Sequence, residues 1–476
     1  MKYLLPVLVG AILASFLPSC IEDDFTTSPS DILAFSTDTL SFDTVFTDEG
    51  TPTARLKVFN RASKSINISS INMKEPSSLF AMNVDGQSGR RFENIEIRGG
   101  DSIFLFVECR LPENHGNEPV LSEDAIVFVT NGVTQEVALQ AWGQNVTRLR
   151  NMRITSDTRF IAAQPYVVFD SLIVEKGALL TIEPGARVLF HDKASLTVRG
   201  RVEAIGTPDK MIDLRGDRLD DVLPDVSYDI MAGQWDGVTI SAESFGNRME
   251  YVNMRSTVYG LKIDSCADLS ERKLYLFNSW LHNSQNTVLE SKYAWVDALG
   301  CCFSEAAGHV VSLTGGKHNF TQCTLANYYL FSSSWQSILG LYHLLPKDIS
   351  APEQPLMEAE FINGIVYGLN SELNVGDLIG SQVFMRNMLF GVNGTNDDNF
   401  IDCSWDSDPL FYTIREDYFF NYHVKPDSPA INAGDPAYLP VAGRYDMDGV
   451  DRLSDGNPTA GAYQFVPPAQ ALRRRY

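Results

Sequence analysis

What most constrains the fold of this chain is a pattern that returns every 22 residues or so through its middle. Asn278-Ser279-Trp280-Leu281, Gly300-Cys301-Cys302-Phe303, Thr321-Gln322-Cys323-Thr324, Asn363-Gly364-Ile365-Val366 and Arg386-Asn387-Met388-Leu389 are successive instances. With Trp280, Cys302, Cys323, Ile365 and Met388 taken as equivalents, the steps are 22, 21, 42 and 23, so the long step holds two repeats or one repeat plus an insertion. Upstream, apolar pairs recur on a short cycle at Leu172 and Val174, Leu180 and Ile182, Val188 and Phe190, and Leu196 and Val198, broken by Pro184-Gly185 and Arg199-Gly200. Short strands joined by tight turns, with no helix between them, form a solenoid, because each coil can bury its inward side chains only by stacking on the next. The register places Ile182, Phe190, Val198, Ile240, Leu281 and Phe303 inside, and Cys302 above Cys323 in one interior column.

The phrase Leu180-Thr181-Ile182-Glu183-Pro184-Gly185-Ala186 resembles the opening coils of bacterial right-handed parallel β-helix proteins of the pectate-lyase-like superfamily. Gln234-Trp235-Asp236-Gly237-Val238-Thr239-Ile240 and Met249-Glu250-Tyr251-Val252-Asn253-Met254 look like the next coils. The resemblance implies a β-helix over residues 160–405. The stretch 327–345 departs from strand alternation and reads as an insertion.

Ahead of it, residues 31–147 alternate in short runs such as Arg55-Leu56-Lys57-Val58-Phe59 and Ala125-Ile126-Val127-Phe128-Val129, separated by turn residues, which predicts a β-sandwich. The markers Leu56-Lys57-Val58-Phe59-Asn60-Arg61, Gly99-Gly100-Asp101-Ser102-Ile103, Asn131-Gly132 and Ala141-Trp142-Gly143-Gln144 resemble the immunoglobulin-like modules related to the ASPM, SPD-2 and Hydin group. That resemblance implies a spacer or interaction module and carries no catalytic residue.

After the coils, Asp408-Pro409-Leu410-Phe411, Asp427-Ser428-Pro429-Ala430-Ile431-Asn432-Ala433-Gly434-Asp435, Asp446-Met447-Asp448-Gly449-Val450-Asp451-Arg452 and Gly461-Ala462-Tyr463 look like the closing module of the choice-of-anchor Q family. The resemblance implies a cap at 406–466 that covers the open solenoid end, with a tail at 467–476. Asp446, Asp448 and Asp451 offer oxygens to Ca²⁺, but the run lacks the length and terminal Glu of an EF-hand loop, so a turn network with Arg452 is the stronger expectation. The whole chain is therefore read as all-β.

Residues 1–19 combine Lys2, an apolar run of about 13 residues and Leu17-Pro18-Ser19 before Cys20, too short for the roughly 20 residues a membrane-spanning helix needs. The segment resembles a bacterial lipoprotein signal peptide, which implies lipidation at Cys20. Ile21-Glu22-Asp23-Asp24, within an acidic tether at 20–30, resembles the export tag that places Bacteroidota lipoproteins on the outer face of the outer membrane. The expected location is the cell outer membrane, lipid-anchored and surface-exposed, with the membrane as one partner through the anchor.

With a formal net charge of −22, nucleic acid is disfavoured as a partner. Of seven cysteines, Cys109, Cys266, Cys301, Cys302, Cys323 and Cys403 remain beyond the lipid acceptor, with no C-x-x-C pair, and are read as small core residues. Asp209, Asp213, Asp217, Asp220, Asp221, Asp225 and Asp229 cluster with Arg215 and Arg218 in what reads as a solvated loop between coils. Asp397-Asp398 stand alone, without the following Gly-His-Gly segment of a polygalacturonase-like arrangement, and no H-E-x-x-H or G-x-S-x-G pattern is present, so no catalytic residue is assigned. The sequence points to a non-catalytic surface binding protein or adhesin for a polysaccharide or a surface protein, with no cofactor. Tyr328, Tyr329, Trp335 and Tyr342 are the candidate glycan contacts, because sugar rings stack on aromatics. A β-helix polysaccharide lyase or glycoside hydrolase, and a structural envelope component, remain the alternatives. A carboxylate cluster on one solvent-facing strand face would separate enzyme from binder.

Overall fold

Apolar–polar alternation from residue 31 onward leaves each strand of the first unit one face to bury, and two five-stranded sheets share that burden. The computed structural model describes residues 24–51, 53–223, 226–332, 336–342, 356–370, 372–379, 381–415, 418–454 and 456–467. Cys20, the segment around it and Trp335 lie outside the described residues. The chain is all-β and divides into two units, Met1–Gln144 and Asn145–Tyr476.

In the first unit one sheet runs Leu33–Phe35, Ala54–Asn60, Ser102–Cys109, Phe80–Val84, Gln87–Gly89, antiparallel throughout. The other runs Thr39–Phe46, Val133–Gln144, Val120–Thr130, Ile66–Met73, Arg91–Ile97, with only its first pair parallel. Leu56, Val58, Leu105 and Val107 from the first sheet and Ile68, Ile71, Ile126, Phe128 and Leu139 from the second belong to one buried cluster.

The second unit consists of long parallel sheets, consistent with a β-helix. One stack carries Arg187–Phe190, Ile212–Gly216, Val252–Thr257, Trp280–Ser284, Cys302–Ala306, Thr324–Asn327, Ile365–Gly368 and Leu389–Phe390, each parallel to the next. A second carries Ser195–Val198, Gly237–Ile240, Leu261–Ile263, Leu289–Lys292, Val311–Thr314, Leu339–Tyr342 and Leu373–Asn374. The long strand Tyr166–Val174 pairs with the first member of both and joins them. A third stack runs from Thr158–Phe160 to Phe400–Ile401. Thr147–Ile154 already pairs with Tyr166–Val174, so the coils begin at 147 rather than 160.

Inward columns are apolar: Val188, Leu214, Met254, Leu281, Phe303, Leu325, Val366 and Phe390 follow one another in register and are buried. Ile182, Phe190, Val198, Ile240, Leu281 and Phe303 are all at most 1% exposed. Turns between coils are tight. Gly260, at φ +67°, has room for no Cβ, which would sit 2.2 Å from the Thr287 carbonyl oxygen one coil on.

Two expectations need correction. Cys302 does not stack on Cys323: it pairs with Thr324, while Cys301 and Cys323 share the core. The assumed register was one residue out at that step, and a slip of one turns a side chain to the other face. Of the two readings of the long step, one coil plus an insertion holds, since Thr324 pairs directly with Ile365. Finally, residues 406–466 do not lie over the end of the core. Trp405 stacks on Phe390 at 4.8 Å and lies 5.1 Å from Phe400, covering the last coil. The closing module instead packs along the side, where Phe411, Tyr422, Val424, Ala430 and Met447 bury against the outward-facing Cys302, Ala326, Ile365 and Leu389.

Candidate functional site

Beside the closing module, the outward face of the first stack carries side chains that an ordinary solvated strand face would not bury. Two columns stand there. Asp213, Asn253, Trp280 and Cys302 are in register on four successive strands. Two residues further along each strand come Arg215, Arg255, His282 and Ser304, the last three in register by pairing.

A third row comes from a bend repeated in register on each strand. Pairing passes from Arg255–His282–Ser304 to Thr257–Ser284–Ala306 and leaves Ser256, Asn283 and Glu305 between them at φ +65°, +58° and +48°. Ser256 Oγ donates to the Asp229 carbonyl at 2.9 Å, and Asn283 Nδ2 donates to the carbonyls of Asp229 (2.9 Å) and Ile230 (3.1 Å). These bonds fix the excursion between Gly216 and Gly237, whose Tyr228–Ile230 turn is capped by Ser227, against the strand face. Asp229 thereby meets both guanidinium groups: Arg215 at 2.6 Å and Arg255 at 3.2 Å, with Asp213 bonded to Arg255 at 2.8 Å.

Both arginine side chains are only 11% exposed. Burial and the neighbouring Arg255 pull Arg215 down to about 10. Burial also opposes the charge on Arg255, but Asp213 and Asp229 more than offset it, so its pKa ends above the ordinary value. Two cations are thus balanced by two carboxylates, as groups taken largely out of water require.

His282 stacks on Trp280 with ring centroids 4.0 Å apart and is held by Asn253 Oδ1 at 3.1 Å from Nε2. Burial, with Arg255 adding to it, keeps the imidazole neutral, far below its usual pKa. Glu305 lies with Oε2 3.7 Å from His282 Nδ1, accepts a hydrogen bond from Ser304 Oγ at 2.8 Å, and is joined to the Tyr422 hydroxyl from the closing module. Burial pushes its carboxyl up to about 8, so at neutral pH it carries its proton.

Above this floor stand two walls, Tyr329, Leu330 and Phe331 after the Thr324–Asn327 strand, and Tyr418, Phe419 and Phe420 between the strands of the closing-module hairpin. Arg415 ties the walls together by donating from Nε to the Tyr328 carbonyl at 2.9 Å and from Nη2 to the Tyr329 carbonyl. The cleft they enclose has a volume of about 250 Å³. Phe331 and Tyr418 are each 44% exposed.

Only one described member of the expected aromatic set lines this cleft. Tyr329 is in the wall, itself mostly buried; Tyr328 is buried under the closing module beside Tyr422, so its ring offers no open face. Tyr342 sits on the second stack, its hydroxyl 3.1 Å from both His309 Nε2 and Asn374 Nδ2. The acidic excursion is also not the solvated loop expected, because Asp213 and Asp229 pair with strand arginines. The signal for this site was available as Asp213-x-Arg215, Asn253-x-Arg255, Trp280-x-His282 and Cys302-x-Ser304-Glu305, which put polar or aromatic residues at alternate positions of one stacked strand.

Asp446, Asp448 and Asp451 diverge. Asp446 caps its own turn, accepting from the Asp448, Val450 and Gln464 amides; Asp448 meets His423 Nε2 at 2.6 Å, and Asp451 pairs with Arg444 at 2.8 Å. Arg452, fully buried, donates to Gln322 Oε1 and to the Gly461 and Ala462 carbonyls, which ties the module to the coils. Among the described residues no group of three or more His, Cys, Asp or Glu side chains is placed to hold a metal ion. All six described cysteines are buried free thiols.

No family model matches the chain, and no curated protein does. Among solved structures, similarity reaches a protein of unknown function from Porphyromonas gingivalis W83, 12% identical over 27% of this chain and 51% of that one, TM-score 0.19. A family 123 glycoside hydrolase from Clostridium perfringens is 7% identical over 25% of this chain and 30% of that one, TM-score 0.18. A PapD-like domain of human CEP192 is 11% identical over 25% of this chain and 89% of that domain, TM-score 0.17. The chain spans about half the length of the first of these and under a third of the second. Overlaps of this size and TM-score carry no argument about fold or function.

Proposed function

We propose that this protein is a lipid-anchored, cell-surface binding protein that recognises a glycan in the cleft above Trp280 and His282. Cys20 behind its lipobox-like Leu17-Pro18-Ser19, followed by Glu22-Asp23-Asp24, supports acylation and display on the outer membrane. No helix among the described residues is long and apolar enough to cross a membrane. The first unit reads as an immunoglobulin-like sandwich acting as a spacer, and the second as a right-handed parallel β-helix whose closing module builds one wall of the site.

The observation that carries the reading is a concave site with exposed aromatic walls over a floor of hydrogen-bonding groups that are fixed before any ligand arrives. Asn253, Arg255, His282 and Asn283 offer donors and acceptors for sugar hydroxyls, and Phe331 and Tyr418 offer ring faces. Displayed on a glycan array, the chain from Ile21 onward should bind, and Phe331→Ala with Tyr418→Ala should weaken binding at least tenfold. Binding indifferent to both substitutions would move the site elsewhere. Separately, Cys20→Ala should release the protein from the membrane fraction, because anchoring through acyl chains comes from about 0.8 kcal/mol per buried CH₂.

One observation favours a second reading, glycoside hydrolysis: Glu305 carries a proton inside the cleft, as a general acid must. Binding is preferred because Asp229, the other carboxylate that lines the cleft, and Asp213, which shares Arg255 with it, are engaged by arginines rather than poised as nucleophile or base. New reducing ends that vanish in Glu305→Gln would reverse the preference.

A further inference from the structure

Charge in the cleft and next to it closes on itself: Arg255 and Asp229 line it, and Arg215 and Asp213 pair with them. Arg215 and Arg255 each face a carboxylate at hydrogen-bonding distance, Asp229 serves both, and Asp213 serves Arg255. The Asp229 segment is held in place by side-chain bonds from Ser256 and Asn283 to its carbonyl, so the pairs are built into the fold rather than assembled by a ligand. A sugar carboxylate or sulfate entering this floor would have to displace Asp213 or Asp229 from Arg255, which leaves a carboxylate in a largely desolvated place without its partner. Hydroxyl groups make no such demand. A guanidinium has five N–H donors and a carboxylate about four lone-pair sites, so each ion pair can keep its bond and still serve a hydroxyl.

The walls agree. Phe331 and Tyr418 present open ring surface, and His282 covers one face of Trp280, so stacking comes from the walls and polar contact from the floor. The chain as a whole, at −22, repels a long polyanion until screening takes over beyond about 8 Å at physiological salt. A volume of about 250 Å³ lies just below the usual range for drug-sized ligands, room for one or two rings at a time.

We infer that the cleft takes an uncharged sugar segment, with rings against Phe331 and Tyr418 and hydroxyls on the Arg255–Asp229 pair, and rejects uronate or sulfated segments of the same backbone. The inference rests on the glycan reading above. Its test is equilibrium binding of the chain from Ile21 onward to matched pairs at 0.15 M salt: galactan and oligogalacturonide fragments, mannan and polymannuronate fragments, dextran and dextran sulfate. The neutral member of at least one pair should bind ten or more times tighter than its acidic partner. Phe331→Ala should lose that binding tenfold, and Arg255→Lys, which keeps the charge and loses the fork geometry, should weaken it several-fold. An acidic member binding as tightly as its neutral partner, and equally sensitive to Phe331→Ala, would overturn neutral selectivity while leaving the cleft a glycan site. No binding by any member, or binding untouched by Phe331→Ala and Tyr418→Ala, would overturn the selectivity and the glycan reading together.

Discussion

Leu214, Met254, Leu281 and Phe303 form one column of the first stack; Arg215, Arg255, His282 and Ser304 form the next, a single residue along each strand. Both columns are largely shielded from water, yet by different means. The inward one is covered by other coils and needs only volume and apolarity. The outward one is covered by the 217–234 excursion, the 329–331 segment and the closing module, so each polar group needs a partner at a fixed distance. A solenoid repeats its interior by construction, whereas its exterior is shaped by what the loops bring, and chemistry can therefore vary coil by coil without disturbing the stack.

The sharpest break of this contrast is to exchange the two columns' demands. Leu281→Asp puts an unpartnered carboxylate among apolar side chains and should cost upwards of about 4 kcal/mol, read as a loss of cooperative unfolding or a large fall in Tm. His282→Gln, one residue away, should cost far less, because a neutral amide can still hydrogen-bond Asn253 and adds no charge to a floor whose charges are already balanced. Equal costs would mean that the outward column is packed like core.

A smaller effect tests whether the outward column rests on pairing. Arg255→Met leaves Asp213 without its partner and Asp229 with Arg215 alone, and should destabilise by roughly 2–3 kcal/mol. Adding Asp213→Asn should restore part of it, and a double-mutant cycle with no coupling would show that the pair holds nothing.

Smaller again is the dependence on pH. In the folded chain Glu305 keeps a proton up to about 8, against 4.5 for an ordinary glutamate, so its contribution is fully present below pH 4.5 and is lost as pH rises towards 8. Glu372, pushed up to about 7 by burial, acts in the same sense. His318, pulled down to about 4, and His282 act oppositely: the unfolded chain takes up protons below 6.5 that these buried rings refuse. The two sets of slopes oppose one another between about pH 4.5 and 6.5, where His309, also lowered by burial, acts with the other histidines. Above 6.5 the acids act alone, and Glu305 should remove roughly 2 kcal/mol by pH 8 at about 1.4 kcal/mol per unit. Urea midpoints measured from pH 6.5 to 8 should fall, and fall less in Glu305→Gln; a flat wild-type profile would contradict the buried, protonated carboxyl.

The same contrast explains what could be read in the sequence. Ile182, Phe190, Val198, Ile240, Leu281 and Phe303 were legible because burial repeats along the chain. The Cys302–Cys323 stacking failed because adjacent cysteines at 301 and 302 satisfy either register, and only pairing of Cys302 with Thr324 decides between them. The cleft was not legible as a motif. Asp213, Arg255, His282 and Glu305 sit on four different coils and Tyr422 on the closing module, so no local spacing links them, and Asp229 joins them only through bonds from Ser256 and Asn283. Aromatic density drew attention to residues 328–342, yet that density is shared between a wall (Tyr329), the buried seam under the module (Tyr328) and another strand stack (Tyr342).

Hydrogen–deuterium exchange with and without a glycan that binds the whole chain tests the central claim most directly. Slowed exchange should be confined to residues 228–231, 253–257, 280–284, 329–332 and 418–420, which line or support the cleft, with residues 24–144 unchanged. Protection in residues 24–144 or along the second stack, with those five segments unaffected, would place recognition elsewhere and leave the buried Arg–Asp–His–Glu cluster as a device for holding the loops on the coils.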